Sequence, residues 1–157
     1  MSEVVCLGIL VADVWARPLD EWPERGQLSV VPEMGIGLGG CAANTGLSLV
    51  KLGVATSVIG KVGNDGFGRF VVEALQRGGA ETGGLVEDPE PGTSASMVII
   101  DSAGERTFIH SPGTNGRLRL DEIDFGRVAQ CRIFHCAGAL VMGAFDGAPM
   151  AECLRRA

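Results

Sequence analysis

The apolar residues of this chain follow two patterns that alternate along its length. Short apolar runs predict strands that are covered on both faces of a sheet, and apolar residues three or four positions apart predict helices. The predicted strands cover residues 4–11, 27–34, 55–62, 85–86 and 132–137. The predicted helices cover residues 44–53, 66–77 and 145–156, and another begins at residues 120–123. Strands that alternate with helices in this way are typical of an α/β fold.

Polar and glycine residues predict where these elements begin and end. Asp65 and Asp121 lie at the start of helical patterns, where a carboxylate caps exposed backbone N–H groups. Residues 15–25 contain two prolines and predict an irregular segment. Residues 94–101 and 105–111 flank a Ser-Ala-Gly turn and predict a β-hairpin.

Composition and charge limit the classes of function. The 157 residues suffice for one domain, and 24 glycines, roughly twice the usual share, predict many tight turns. The formal net charge is −6 and the basic residues form no run, so we expect neither nucleic acid nor an anionic membrane surface as a partner. No apolar run approaches the roughly 18 residues of a membrane span, and the amino terminus lacks the basic region of a signal peptide.

The five cysteines predict a reducing compartment and no metal site. Their number is odd and their positions are scattered, which favours free thiols in the cytoplasm. Cys131, His135 and Cys136 fit no standard zinc spacing. Buried thiols without a metal are therefore the expected state.

A glycine-rich stretch before the first predicted helix carries the candidate chemistry. Residues 35–44 read G-I-G-L-G-G-C-A-A-N, and glycines before a helix let a ligand approach the backbone N–H groups. The spacing Gly35-x-Gly37-x-x-Gly40 also matches the dinucleotide-binding pattern. It lies far from the first strand, however, and the next strand carries Lys61 rather than an acidic residue. A dinucleotide-binding oxidoreductase module therefore remains only an alternative.

Three blocks with fixed spacing give a more specific match. They are residues 39–46 (G-G-C-A-A-N-T-G), 52–53 (L-G) and 60–68 (G-K-V-G-N-D-G-F-G). Together they resemble the first signature of the PfkB (ribokinase-like) family of carbohydrate kinases. Weaker similarity covers the rest of the chain, at Gly8, Asp13, residues 113–115 and residues 135–138.

The resemblance implies a fold, an activity and a set of cofactors. The fold is a single ribokinase-like α/β domain over residues 1–157, with a mainly parallel sheet flanked by helices. A small β-sheet lid, formed by segments of approximately 14–34 and 93–111, is inserted in it. The activity is ATP-dependent phosphorylation of a hydroxyl of a sugar, sugar acid or nucleoside, with ATP and Mg²⁺ as cofactors of the complete enzyme. The implied partners are that small substrate and a second copy of the chain, in a homodimer formed through the lid or an exposed sheet edge.

The resemblance also implies which residues bind the substrate. These are Asp13, Gly39, Gly40 and Asn44. Judged on its residue type alone, Asp13 suits a turn or cap as well as a sugar hydroxyl. Asn44 likewise suits a helix cap, although its amide offers both a donor and an acceptor to vicinal hydroxyls. Further residues that the resemblance places in the lid or beside the site are Met97, Arg106, Phe108, Asn115 and Gly138.

The second signature of the family, D-T-x-G-A-G-D, does not occur among the 157 residues. In the family this signature holds the catalytic Asp and the N–H groups that bind the transferring phosphate. We therefore expect no catalytic residue in this chain and no ATP or Mg²⁺ bound by it alone. We expect the chain to be the N-terminal part of a longer kinase, or a truncated reading frame of one. The alternative is a non-catalytic sugar-binding or interaction domain. Cys41 follows the Gly-Gly pair at the position where ribokinases carry a Lys. This difference leaves the identity of the substrate open.

Overall fold

A computed structural model describes residues 2–157 and confirms an α/β fold with two sheets. In chain order its strands and helices are β1 (Val4–Gly8), β2 (Val11–Arg17), β3 (Glu33–Gly39), α1 (Cys41–Lys51), β4 (Thr56–Gly63), α2 (Gly66–Arg77), β5 (Glu81–Asp88), β6 (Ala95–Ile100), β7 (Arg106–Ser111), α3 (Phe125–Val128), β8 (Ile133–Ala137) and α4 (Ala148–Arg156). Short 3-10 turns cover Gly113–Arg117 and Leu120–Glu122. Within the described residues no helix is both long enough and apolar enough to cross a membrane.

The first sheet is parallel throughout and has the order β5-β4-β1-β8. Its two central strands, β1 and β4, are buried along their whole length because both faces of the sheet are covered. On one face Val58 packs with Val71 and other apolar residues of α1 and α2. On the opposite face Leu7 packs with Phe145 and apolar residues of α3 and α4. Burial on both faces explains why these strands appear in the sequence as continuous apolar runs.

The second sheet has the order β3-β2-β6-β7. β2 pairs with β3 antiparallel and with β6 parallel, and β6 pairs with β7 as the predicted antiparallel hairpin. This is the small second sheet that the family resemblance implies. Its role as a lid remains a prediction.

The first third of the chain differs most from the sequence-based expectation. The apolar run 4–11 is divided between the two sheets, and β2 continues to Arg17 through part of the segment expected to be irregular. The strand predicted over 27–34 is wrong, because residues 18–32 form no strand among the described residues and Leu28 and Val30 are 83% and 86% exposed. The strand that is present, β3, overlaps only the last two residues of the predicted one and continues through glycines that gave no apolar signal.

Helix α1 begins at Cys41, three residues earlier than predicted, with Gly40 as its N-cap. Asn44 therefore lies within the helix and does not cap it. The prediction for α2 is confirmed, since its bounds agree and the N–H of Gly68 donates to Oδ1 of the cap residue Asp65 at 2.8 Å.

The later elements are also placed differently in part. The segment at 120–123 is a 3-10 turn with Arg119 at its N-cap position, and Asp121 forms an ion pair with Arg119 instead of capping a helix. Helix α4 begins at Ala148 rather than at residue 145. β5 is eight residues long rather than two, because backbone pairing with β4 continues through its glycines, which carry no apolar pattern.

Candidate functional site

The carboxyl ends of β1 and β8 meet the N-terminus of α1 at one edge of the first sheet. The backbones approach so closely there that a Cβ atom on Gly8 would lie 2.0 Å from the carbonyl oxygen of Ala137. A Cβ on Gly40, whose φ is +96°, would lie 2.3 Å from the carbonyl oxygen of Ile9. Side chains at these positions are therefore excluded both sterically and by the positive φ of Gly40. Gly138, which the family resemblance placed in the lid or beside the site, lies against the side chain of the same Ile9 and is therefore at this edge.

Asp13 and Gly39 lie in contact beside this edge. Their strands, β2 and β3, pair so that Asp13 is opposite Gly37 and its side chain reaches over the neighbouring Gly39. A Cβ on Gly39 would lie 2.1 Å from Oδ2 of Asp13. Because residue 39 is a glycine, the carboxylate of Asp13 has room to lie against its backbone. The next residue along the chain, Gly40, is the N-cap of α1.

The N-terminus of α1 has no side-chain cap. The first helical hydrogen bond runs from the N–H of Asn44 to the carbonyl of Gly40 at 2.9 Å, and the N–H of Ala42 donates to Ile9 at 3.3 Å. The remaining N–H groups of a first turn have no intrahelical partner and carry the positive end of the helix dipole. The side chain of Asn44 is exposed one turn into the helix. Asp13, Gly39, Gly40 and Asn44 therefore belong to one region.

The register of the second sheet determines which side chains lie on each of its two faces. Asp13 is opposite Ser96, and Ser96 is opposite His110. Residues directly opposite each other share a face and successive residues alternate, so these three side chains form a row on one face, here called the Asp13 face. Ser96 Oγ and His110 Nδ1 are 3.1 Å apart.

An apolar row lies beside this polar row. Trp15, Val98 and Phe108 are opposite one another on the same Asp13 face. The guanidinium of Arg106 lies 5.7 Å from the ring centre of Phe108. Of the expected lid residues, Arg106 and Phe108 therefore share a face with Asp13.

Met97 lies on the opposite face. It lines a hollow of about 400 Å³ together with Val14, Phe67 and Ile109, and Ser96 and His110 also border this hollow. We call this side the Met97 face. The structure therefore does not bring Met97 together with Asp13.

Asn115 is buried and its carboxamide is already engaged. The N–H of Leu10 donates to Oδ1 at 3.0 Å, and Nδ2 donates to the carbonyl of Leu10 at 2.9 Å. Its own N–H donates to the hydroxyl of Ser94 at 3.1 Å, and that hydroxyl donates to the carbonyl of Pro112. Asn115 thus fastens together the segments by which the chain enters and leaves the second sheet, and it is placed to hold the site rather than to touch a ligand.

Asp65 holds another segment by which the chain enters the second sheet. Besides capping α2, its carboxylate accepts from the N–H groups of Gly92 and Thr93 at 2.7 and 2.8 Å, and from the Thr93 hydroxyl at 2.8 Å. Burial raises the pKa of Asp65, but the hydrogen bonds from Gly68, Thr93 and Gly92 outweigh it and lower the pKa to about 2. The segment leading into β6 is therefore held by a charged acceptor.

The described residues do not provide a metal site. Nowhere in residues 2–157 do three or more His, Cys, Asp or Glu side chains come together in a way that could hold a metal ion. Cys6 and Cys153 are buried, and burial raises the pKa of each thiol to about 11. Cys41, by contrast, is exposed at the first position of α1.

Parallel strands whose carboxyl ends meet a helix N-terminus define a class of α/β proteins that bind small ligands at this edge of the sheet. The family model described as pfkB family carbohydrate kinase matches residues 1–157, and the chain belongs to that family.

Relatives of known sequence and structure agree with this assignment. The chain is 30% identical over 136 residues to Probable fructokinase-6, chloroplastic, of Arabidopsis thaliana, a match that covers 84% of this chain and 34% of that protein. Ribokinase from Giardia lamblia has a TM-score of 0.83 at 16% identity, over 99% of this chain and 50% of that one. Fructokinase from Xylella fastidiosa with bound ATP has a TM-score of 0.77 at 24% identity, over 99% and 48%. At these identities the two structures show the fold alone. The chain spans about a third of the length of the plant relative and about half that of the two structures.

Two residues of the site region were missed from the sequence. Ser96 and His110 both lie within the predicted hairpin, but only the register shows that they face each other and Asp13. The alternation along each strand was a usable signal, whereas the pairing of β6 with β2 is long-range and has no local signature.

Proposed function

We propose that this chain binds the acceptor substrate of a kinase that transfers the γ-phosphoryl group of ATP to a hydroxyl of a sugar, sugar acid or nucleoside. The observation that carries the proposal is the carboxylate of Asp13, which lies against the bare backbone of Gly39 next to the open N-terminus of α1. A carboxylate accepts hydrogen bonds from hydroxyl groups. Membership of the pfkB family supports the class of reaction.

The roles of the residues follow from their positions. Asp13 accepts hydrogen bonds from substrate hydroxyls, and Asn44 offers a donor and an acceptor from the first turn of α1. The backbone at Gly39 and Gly40 lets the ligand come close to the positive end of that helix. Phosphoryl transfer depends mainly on positioning and on charge neutralisation, so a site that fixes the acceptor hydroxyl supplies a large part of the catalysis.

The second sheet is proposed to be the lid of this site, with its segments at approximately 14–34 and 93–111. Its Asp13 face supplies the wall, in which Phe108 and Arg106 flank the ligand. Gly138 permits the close approach of β8, and Asn115 positions the junction between the sheets. We leave Met97 out of the substrate contacts because it lies on the opposite face.

ATP and Mg²⁺ are proposed to be held by residues outside these 157. The sequence contains no D-T-x-G-A-G-D motif, and residues 2–157 contain no cluster suited to a metal. When bound, ATP supplies the phosphoryl group and Mg²⁺ neutralises its charge. We also propose a cytoplasmic location and a homodimer, the first because of the free cysteines and the second because of the exposed apolar surfaces of the second sheet and of β8.

Calorimetry of the purified chain with D-fructose, D-ribose, adenosine and NAD tests the proposal. We expect at least one polyol to bind, Asp13→Asn to weaken that binding about tenfold or more, and the exposed control Asp121→Asn to leave it unchanged. No sugar phosphate should form when ATP and Mg²⁺ are added to the 157-residue chain. Binding of NAD without any polyol would support the dinucleotide alternative, and polyol binding that survives Asp13→Asn would contradict the proposed site.

A further inference from the structure

The polar row on the Asp13 face contains two side chains to which the proposed function has given no role. Ser96 is buried on the central strand β6, and His110 is exposed on the edge strand β7. Adjacent strands are about 4.8 Å apart, so the row extends roughly 10 Å from the backbone of Asp13 to that of His110. His110 thus lies on the same face of the sheet as Asp13, with the buried Ser96 between them.

We propose that His110, oriented by Ser96, is a specificity-determining residue that binds a second hydroxyl of the substrate at the end of the row away from Gly39. The proposal rests on the proposed function, because it takes Asp13 as the first hydroxyl contact. It names the substrate as a polyol with hydroxyl groups at both ends of its bound form. A ligand with a hydroxyl at only one end can form a hydrogen bond with Asp13 or with His110, but not with both.

The contact between Ser96 and His110 fixes the direction of the imidazole. Nδ1 is 3.1 Å from Ser96 Oγ, and Nε2 is on the opposite side of the ring. If the hydroxyl of Ser96 donates to Nδ1, Nε2 carries the proton and donates; if Nδ1 donates to Ser96, Nε2 accepts. A substrate hydroxyl can both donate and accept, so it matches either tautomer, whereas a group that only donates or only accepts matches one.

The surroundings of the row agree with such a site. Trp15, Val98 and Phe108 lie beside it on the same face and give an apolar wall along one side. Ligand sites commonly combine an apolar lining with a few placed polar groups that fix orientation. The groups here are a carboxylate, a hydroxyl and an imidazole, all of which form hydrogen bonds with hydroxyls.

The chain contains two histidines, so imidazole NMR signals provide a direct test. We expect saturation with D-fructose or D-ribose to shift the ring signals of His110 in parallel with the backbone amides of Gly39 and Gly40. The ring of His135 in β8, assigned by comparison with His110→Asn, serves as the internal reference and should move much less. The same spectra show whether each variant is folded.

Substitutions separate hydrogen bonding from structural support. We expect His110→Ala and Ser96→Ala each to weaken polyol binding about tenfold, and His110→Asn to restore part of the affinity because an amide also donates and accepts. The control Ser111→Ala changes the neighbouring residue, which lies on the Met97 face, and should bind like the parent chain. Polyol binding that shifts Gly39 and Gly40 but leaves His110 unmoved would overturn this inference and leave the proposed function standing. A folded chain with no shift for either sugar would overturn both.

Discussion

Two aspartates show how the same residue type is used differently in this chain. Asp65 is held by four hydrogen bonds and fastens the entry to β6 against α2. Asp13 lies beside bare backbone at the edge of the first sheet, where it can serve a ligand. The sequence predicted a cap for Asp65, and the family resemblance implied a ligand contact for Asp13. The three contacts from Gly92 and Thr93 to Asp65 come from residues far away in the sequence.

The first prediction concerns Asp65 and acid stability. Because its pKa is about 2 in the folded chain, against an ordinary value of 3.8, ionised Asp65 stabilises the fold at all pH values above about 4. This contribution is lost as the pH falls from 4 through 2, where the folded carboxylate takes up its proton. Urea unfolding at several pH values should therefore show a loss of stability in this window.

The matched variant for this measurement is Asp65→Asn. At neutral pH we expect it to lower the free energy of unfolding by about 1–2 kcal/mol, since it loses a charged cap. Between pH 4 and 2 the difference from the parent chain should shrink. A constant difference across this range would show that the hydrogen bonds do not depend on the charge of Asp65.

At the scale of elements, an ion cluster around the buried Lys61 joins β4 and β5 to the segment that follows the second sheet. Nζ of Lys61 lies 2.7 Å from Glu122 Oε1 and 3.3 Å from Asp88 Oδ2, and Arg117 contacts the same Asp88 at 2.9 Å. The Lys61 side chain is 7% exposed. An uncompensated charge is costly at such a site, so the cluster depends on all its members.

We predict that Lys61→Met lowers the free energy of unfolding by about 3 kcal/mol, because it leaves Glu122 without its cation and Asp88 paired with Arg117 alone. The control Lys51→Met, at the exposed end of α1, should change it by less than about 0.5 kcal/mol. Adding Glu122→Gln to Lys61→Met should recover part of the loss. Urea unfolding measures all three, and equal stability of Lys61→Met and Lys51→Met would show that the cluster contributes nothing.

At the scale of the whole molecule, exposed apolar side chains lie on each of the two sheets. In the second sheet they lie on the Met97 face, where Ile36, Met97 and Ile109 are exposed on three strands. In the first sheet they lie on β8, an edge strand in which Ile133 is 59% exposed. Exposed edges and apolar patches favour association.

We therefore predict that the 157-residue chain self-associates as its concentration rises. Light scattering of Ile109→Lys and Ile133→Lys should show which surface is responsible, since a charge on the contact surface should restore the monomer. The control Leu52→Lys adds the same charge at the exposed end of α1 and should leave association unchanged. A parent chain that stays monomeric at high concentration would contradict both forms of the proposed homodimer.

Much of the first sheet and of the family assignment could be predicted from the sequence. β4 appears as a continuous apolar run because both of its faces are buried, α2 shows the helical spacing of its buried face, and the β6–β7 hairpin has a local turn. The signature from Gly39 to Gly68 has fixed spacings, and it identified the family that the match over residues 1–157 shows. Such features can be predicted from the sequence because they depend on residues that are close together in it.

The tertiary structure alone decided how the segments pair. It assigned Val11 to a second sheet, made a strand of the glycines at 35–39, and engaged Asn115 with Leu10 across 105 positions of sequence. It also placed His110 with Ser96 and Asp13, and Met97 on the opposite face. The physical reason is that a glycine or a polar side chain in a strand gains its role from the neighbouring strand, and a shift of one residue in register exchanges the two faces.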